Sequence, residues 1–209
     1  MKWTRVFETF YNFSFHKESY FVREAYLKSQ SEKKPVDANG NPIPWMNYAI
    51  LDFFSERLNA DLSLFEYGSG FSTQYFASKL KTVKSIEYDQ IWYQKVRKEI
   101  AHLENAEVKY YELDRNYANA ILTEGEEILY QLILIDGRHR VACAKNACAQ
   151  LTSDGVLILD DSDRKGYKEV FEYYKKQDFR HLTFSGIKPT SFRKHSTTIF
   201  YRPNNCLDI

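Results

Sequence analysis

The segment Phe65-Glu66-Tyr67-Gly68-Ser69-Gly70-Phe71-Ser72-Thr73 joins a short apolar run to a helical pattern through two glycines. Such a strand-to-helix turn permits a tight reversal and brings a ligand close to the backbone, as in dinucleotide-binding loops. The third glycine of that fingerprint is absent, because position 73 is Thr. Glu87 follows Gly70 by 17 residues, at the end of a second apolar run. That is close to the spacing at which an acid accepts hydrogen bonds from a ribose diol.

Two further apolar runs end in acids, Leu134-Ile135-Asp136-Gly137 and Leu159-Asp160-Asp161. If the first and fourth strands are neighbours, Glu66, Gly68, Gly70, Glu87 and Asp136 converge on one crevice, with Asp114 able to reach its edge. The glycine loop holds no Lys or Arg, so the expected pocket is acidic. It would serve a pyrophosphate poorly and a cationic adenosine cofactor well. His139 is a candidate general base, since an imidazole titrating near pH 6.5 takes up protons at neutral pH. Arg138 and Arg140 flank it and suit a carboxylate or phosphate on a substrate. Trp45 and Tyr48 precede the glycine loop and are expected to line the cofactor or acceptor pocket.

These residues need a scaffold that brings strand ends together. From Leu62 the chain alternates between strand-like runs at 62–67, 83–88, 107–113, 130–136 and 155–161 and helical patterns between them. Such alternation specifies a parallel sheet with helices on both faces. The continuous apolar runs Leu132–Ile135 and Val156–Leu159 suit central strands covered on both sides. Residues 179–184 and 196–201 also read as strands. Their connection is too short for a helical crossover, so a hairpin with an antiparallel last strand is expected.

In this order the motifs resemble the class I S-adenosylmethionine-dependent methyltransferases, over residues 45–201. The resemblance implies an α/β, Rossmann-like, seven-stranded, mostly parallel sheet of order 3-2-1-4-5-7-6 with an antiparallel last strand. It implies S-adenosyl-L-methionine as cofactor, held by Glu66, Tyr67, Gly68, Ser69, Gly70, Ser72 and Thr73 at the methionine part. Glu87 would take the ribose, Tyr88 and Asp114 the adenine, and Asp136 would lie by the methionine amine or the reacting centre. Asp136 and His139 are the implied catalytic pair, and Trp45, Tyr48, Arg138, Asp160 and Asp161 the acceptor side. Residues 135–161 are also similar to the metal-dependent catechol-type O-methyltransferases. Asp stands at 161 where that group has Asn, so no metal ligand is assigned and a divalent cation is an alternative only. The implied activity is methyl transfer, to oxygen, on a small molecule or glycan. A nicotinamide-dependent oxidoreductase and a non-catalytic cofactor-binding protein of the same fold are the rivals.

Composition narrows the partners. The 209 residues carry 29 basic and 28 acidic side chains, a balance unlike that of a dedicated nucleic-acid binder. The odd set Cys143, Cys148 and Cys206 has no paired spacing, which fits reduced thiols and a cytoplasmic setting. No apolar run has the ~20 residues needed to cross a bilayer. Residues 1–44 read as an aromatic-rich helical extension and loop, and 45–209 as the cofactor-binding domain. Trp3, Val6, Phe7, Phe10 and Tyr11 recur at helical spacing, which suits packing on the domain or on a second copy in a homodimer.

Overall fold

The computed structural model describes residues 2–124 and 128–209. Helices α1 (Lys2–Phe15), α2 (Tyr20–Arg23), α3 (Tyr26–Glu32) and α4 (Tyr48–Arg57) come first. There follow β1 (Ser63–Tyr67), α5 (Phe71–Ala77), β2 (Thr82–Glu87), α6 (Gln90–Glu99), β3 (Ala106–Tyr110) and α7 (Arg115–Glu124). The chain ends with β4 (Tyr130–Ile135), α8 (Arg140–Ala147), β5 (Leu151–Leu159), α9 (Lys168–Lys176), β6 (Arg180–Gly186) and β7 (His195–Tyr201).

The sheet has the order β3-β2-β1-β4-β5-β7-β6. The strands from β3 to β5 run parallel, and β7 lies antiparallel to both β5 and β6. Sequence neighbours diverge on either side of β1 and β4, so the strand order reverses between them. Ligands bind such α/β sheets at the carboxyl ends of strands beside that reversal.

Alternate residues of the central strands serve opposite faces. Phe65, Tyr67, Ile133, Ile135, Leu157 and Leu159 pack with Tyr117 and Ile121 of α7, Cys143 and Ala144 of α8, and Tyr174 of α9. Leu64, Leu132, Leu134, Val156 and Ile158 pack with Ile50 and Phe54 of α4 and Phe76 of α5. Each such side chain contributes roughly 1.5–3 kcal/mol by leaving water, and burial on both faces explains the unbroken apolar runs.

Three boundaries differ from expectation. The expected third strand stops at Tyr110 rather than Leu113. The fifth starts at Leu151 rather than Gly155, because a 3₁₀ turn at Cys148–Gln150 ends α8 and feeds straight into the sheet. Its first pairing, Tyr130 with Leu151, is followed by a register shift. A Cβ on Gly155 would stand 2.9 Å from the Tyr130 carbonyl oxygen, so the irregular stretch takes a residue without a side chain. The polar stretch 29–44 reads as a loop in the sequence, but the loop begins later, since α3 continues to Glu32.

Tyr26 and Ile43, in the N-terminal extension, share a core with Tyr48 and Ile50. By contrast α1 does not pack on the domain as one reading expected. Trp3 is 79 % exposed and Phe7 73 %, and its ring contact to the rest of the chain runs through Phe13 to Phe21. No helix among the described residues is long and apolar enough to cross a membrane.

Candidate active site

A cavity of about 840 Å³ opens at the carboxyl ends of β1, β2 and β4, within the roughly 300–1,000 Å³ of small-molecule sites. Of the sequence-derived residues it gathers Gly68, Ser69, Ser72, Glu87, Tyr88, Asp136, Arg138 and His139 into its walls.

The glycine loop is built on a buried carboxylate. Glu66 is fully buried and accepts from Thr73 Oγ1 at 2.7 Å, from Ser85 Oγ at 2.6 Å and from Ser72 Oγ. Burial pushes its carboxyl up to about 7, against the pull of those three hydroxyls. Thr73 Oγ1 in turn accepts from the Gly70 amide at 3.0 Å, so the Thr that breaks the dinucleotide fingerprint ties the loop to the start of α5. Glu66 and Thr73 therefore shape the loop from beneath and do not face the cavity. Tyr67, one residue on, points to the other face of β1 and donates to the Ala118 carbonyl at 2.8 Å. It is buried and cannot touch a ligand from there. Gly70 lies against the Trp92 indole.

Gly68 has φ +92° and its missing Cβ faces the backbone of Asp136 and Gly137 at 3.1–3.2 Å. The close approach it permits is thus between two loops of the protein.

Glu87 is the last residue of β2, as expected. Its Oε1 accepts from the amides of Tyr88 and Asp89 at 2.8 and 2.9 Å, and its Oε2 from the Ser69 amide at 3.0 Å and Ser69 Oγ at 3.2 Å. The longest of these is a rotatable hydroxyl, which an incoming ligand hydroxyl can replace. Beside it, Arg138 lies over the Tyr88 ring at 5.3 Å and donates from Nε to Tyr88 Oη at 3.0 Å.

Arg140 is buried and braces the strand ends. It donates to the carbonyls of Gly137, Asp136 and Asp160 and pairs with Asp136 Oδ1 at 2.7 Å. It is not free to bind a substrate anion. Burial raises the Asp136 carboxyl while Arg140 opposes the rise. His139 takes the left-handed conformation at φ 48° immediately before α8, lines the cavity and meets the Tyr117 ring edge-on at 6.4 Å.

Five expected contacts lie elsewhere. Asp114 is exposed and receives both the amide and the side-chain nitrogen of Asn116, at 2.7 and 3.1 Å, in a turn outside the cavity. Tyr48 is buried in the core beside Tyr26, with the half-exposed Tyr20 edge-on against it. The Trp45 indole donates to the Pro189 carbonyl and Thr190 Oγ1 at 2.8 and 2.9 Å, clamping the β6–β7 connection beside Phe71. Asp160 is buried and accepts from Thr197 Oγ1 at 2.7 Å. Burial, reinforced by Asp136 and Asp161, pushes its carboxyl up to about 7.

Asp161, at φ 50°, receives Lys188 Nζ and His195 Nδ1 at 3.1 Å each and also Arg164. Burial alone would raise it, yet Lys188, Arg164 and Arg140 together hold it at about 2. His195 Nε2 is paired with Ser191 Oγ at 2.8 Å. Asp161 thus fastens the hairpin connection to the end of β5 and caps no helix. Asp136, Asp160 and Asp161 are separately engaged, and among the described residues no group of three His, Cys, Asp or Glu is arranged to hold a metal ion.

The cavity is also less acidic than expected. Val141, Ala142 and Lys145 of α8 line one wall, with Arg138 just before the helix. Arg164 and Tyr167, from the turn after β5, complete it. Lys145, Arg164 and Tyr167 were missed in the sequence. The i, i+4 spacing of Val141 and Lys145 along α8 was the available signal for Lys145; Arg164 and Tyr167 needed the path of the chain after β5.

No protein-family model matches the chain, and no curated protein matches it in sequence. Solved structures share its architecture. The O-methyltransferase from Bacillus cereus, in complex with SAH, is 14 % identical with a TM-score of 0.58, over 94 % of this chain and 97 % of that one. The N-methyltransferase NodS from Bradyrhizobium japonicum is 14 % identical with a TM-score of 0.53, over 74 % and 92 %. An rRNA methylase from Streptococcus thermophilus is 17 % identical with a TM-score of 0.53, over 71 % and 90 %. The chain has the class I methyltransferase fold.

Proposed function

We propose that this protein is an S-adenosylmethionine-dependent methyltransferase that methylates an oxygen of a small-molecule or glycan acceptor. The observation that carries the reading is the placement of Glu87. A carboxylate at the carboxyl end of β2 faces a cavity beside the glycine loop, next to the reversal of strand order. Its hydrogen bond from the Ser69 hydroxyl is the one a ribose hydroxyl can replace.

The residues present fit that cofactor. Glu87 would accept the ribose hydroxyls, the Tyr88 and Arg138 pair would form the adenine wall, and the Gly68–Ser69 turn with Asp136 would receive the amino-acid end. When bound, the cofactor would supply an electrophilic methyl on a sulfonium, with a neutral thioether as the leaving group. The protein's share is to orient the acceptor oxygen, exclude water and accept the hydroxyl proton. We assign this role to an imidazole nitrogen of His139, which lines the cavity. Asp136, fixed by Arg140, sets the charge at the β4 end.

Calorimetry with S-adenosylhomocysteine (SAH) tests the reading. Saturable binding is expected, weakened about 10- to 100-fold in Glu87→Gln, the range for a hydrogen bond to a charged group. Absence of binding by folded protein, or binding of NAD in its place, overturns it. Loss of methyl transfer in His139→Ala with SAH binding retained is the expected sign of the proton-accepting role.

A further inference from the structure

Three cations lining the cavity are not matched by acids facing the same space: Lys145 and Arg164 on the side of α8 and the turn after β5, and Arg138 beside Tyr88 at the β2 end. Arg138 has a phenol and a ring as partners, and among the described residues no carboxylate pairs with it. Lys145 pairs with Glu169, whose side chain is 61 % exposed, and such surface pairs hold little charge in place. Arg164 shares Asp161 with Lys188, so one carboxylate serves two cations. On the same wall Arg140 and Asp136 cancel each other. The acid at the opposite end, Glu87, is turned toward the amides of Ser69, Tyr88 and Asp89. The cavity is therefore polarised, with a carboxylate at the β2 end and excess positive charge along α8 and the turn after β5.

We propose that the acceptor is an anion, and that its carboxylate or phosphate is held by Lys145 and Arg164. This deepens the methyltransferase reading and rests on it, since the β2 end is assigned to the cofactor. The side chains of Lys145 and Arg164 are 37 % and 57 % exposed. Both can therefore reorient from their present partners to an incoming anion. The excess positive charge on this side of the cleft also draws in ligands of the opposite sign. Guanidinium binds either oxyanion through paired N–H groups, and lysine adds a compact charge.

The test is titration of the full chain with inorganic phosphate and with acetate, at constant ionic strength set by chloride. It is followed by amide chemical shifts, with and without saturating SAH. One of the two anions is expected to give saturable shifts confined to α8 and residues 161–167, and which one does so identifies the acceptor's group. The double variant Lys145→Gln/Arg164→Gln, whose exposed positions leave folding intact, is expected to weaken that binding at least about tenfold. Its SAH affinity is expected to stay within about threefold, a free-energy change well under that of one hydrogen bond to a charged group. Shifts that do not saturate, that fall elsewhere, or that persist in the double variant overturn the proposal while SAH binding stands. Failure of SAH to bind, with the anion response intact, sinks the methyltransferase reading and leaves an anion-binding cleft.

Discussion

Gly68 and Gly137 press together backbone to backbone, so that a Cβ on Gly137 would lie 3.0 Å from the Gly68 nitrogen and 1.9 Å from Tyr117 Oη. The turn after β1 and the turn after β4 are thus a single packed unit beneath the cavity. Tyr117 is fully buried and its hydroxyl accepts from the Arg138 amide, so the ring cannot swing aside without disturbing the cavity wall. Gly137→Ala is expected to lower stability by about 1–3 kcal/mol, the usual range for overpacking. It should also weaken SAH binding, because Gly68 and Arg138 move with it. Thermal unfolding and calorimetry check this, and an unchanged SAH affinity would count against the coupling.

Glu66 makes the stability of the glycine loop dependent on pH. Its folded carboxyl is pushed up to about 7 by burial, above the value of a free glutamate. The folded state therefore binds the proton more tightly than the unfolded chain. The resulting stabilisation is complete below about pH 4.5 and is lost as pH rises through 7. Glu66→Gln, which cannot ionise, should lack this loss. Relative to the parent, the variant is expected to gain about 3 kcal/mol between pH 4.5 and 8. Denaturant unfolding at the two pH values checks it, and parallel curves for the two proteins would refute it.

The same residues show how far sequence reasoning reaches. Strand ends were legible because buried parallel strands are continuous apolar runs that stop where a polar residue follows. This placed Glu87 and Asp136 at the cavity. The face of a side chain was less legible. Tyr67 follows Glu66 directly, and alternation along β1 sends it into the opposite core. Tyr48 opens α4, where an aromatic ring serves burial as readily as a pocket. Asp114 was captured locally by Asn116, a choice that depends on the turn adopted after β3. Lys145 and Arg164 come to line one cavity only through the path of the chain after β5, which no local pattern encodes.

Helix α1 should be energetically separate from the sheet. Phe7 and Phe10 are 73 % and 65 % exposed, whereas Tyr26 is 3 % exposed within the core. Phe7→Ser with Phe10→Ser is expected to leave unfolding of the domain within about 0.5 kcal/mol of the parent. Tyr26→Ala should lower it by about 3 kcal/mol through cavity formation. Chemical denaturation at low protein concentration compares them. A large effect of the α1 pair would mean that the helix has a packing partner not supplied by its own domain.

Asp161 is expected to govern the acid limit of the fold. It is nearly buried, serves Lys188, His195 and Arg164, and is held at about 2. A carboxyl lowered on folding stabilises the protein above its ordinary pKa and loses that contribution as pH falls through the folded value, here from about 4 to 2. The shift corresponds to about 2 kcal/mol. Asp161→Asn leaves Lys188 without its carboxylate, at a cost of about 3 kcal/mol near neutrality. Because the parent alone loses the ion pairs in acid, the gap between parent and variant should narrow from pH 5 to pH 2. Stability measured across that range decides the matter: a constant gap would mean that Asp161 holds the hairpin by shape and hydrogen bonding, and that its charge is dispensable.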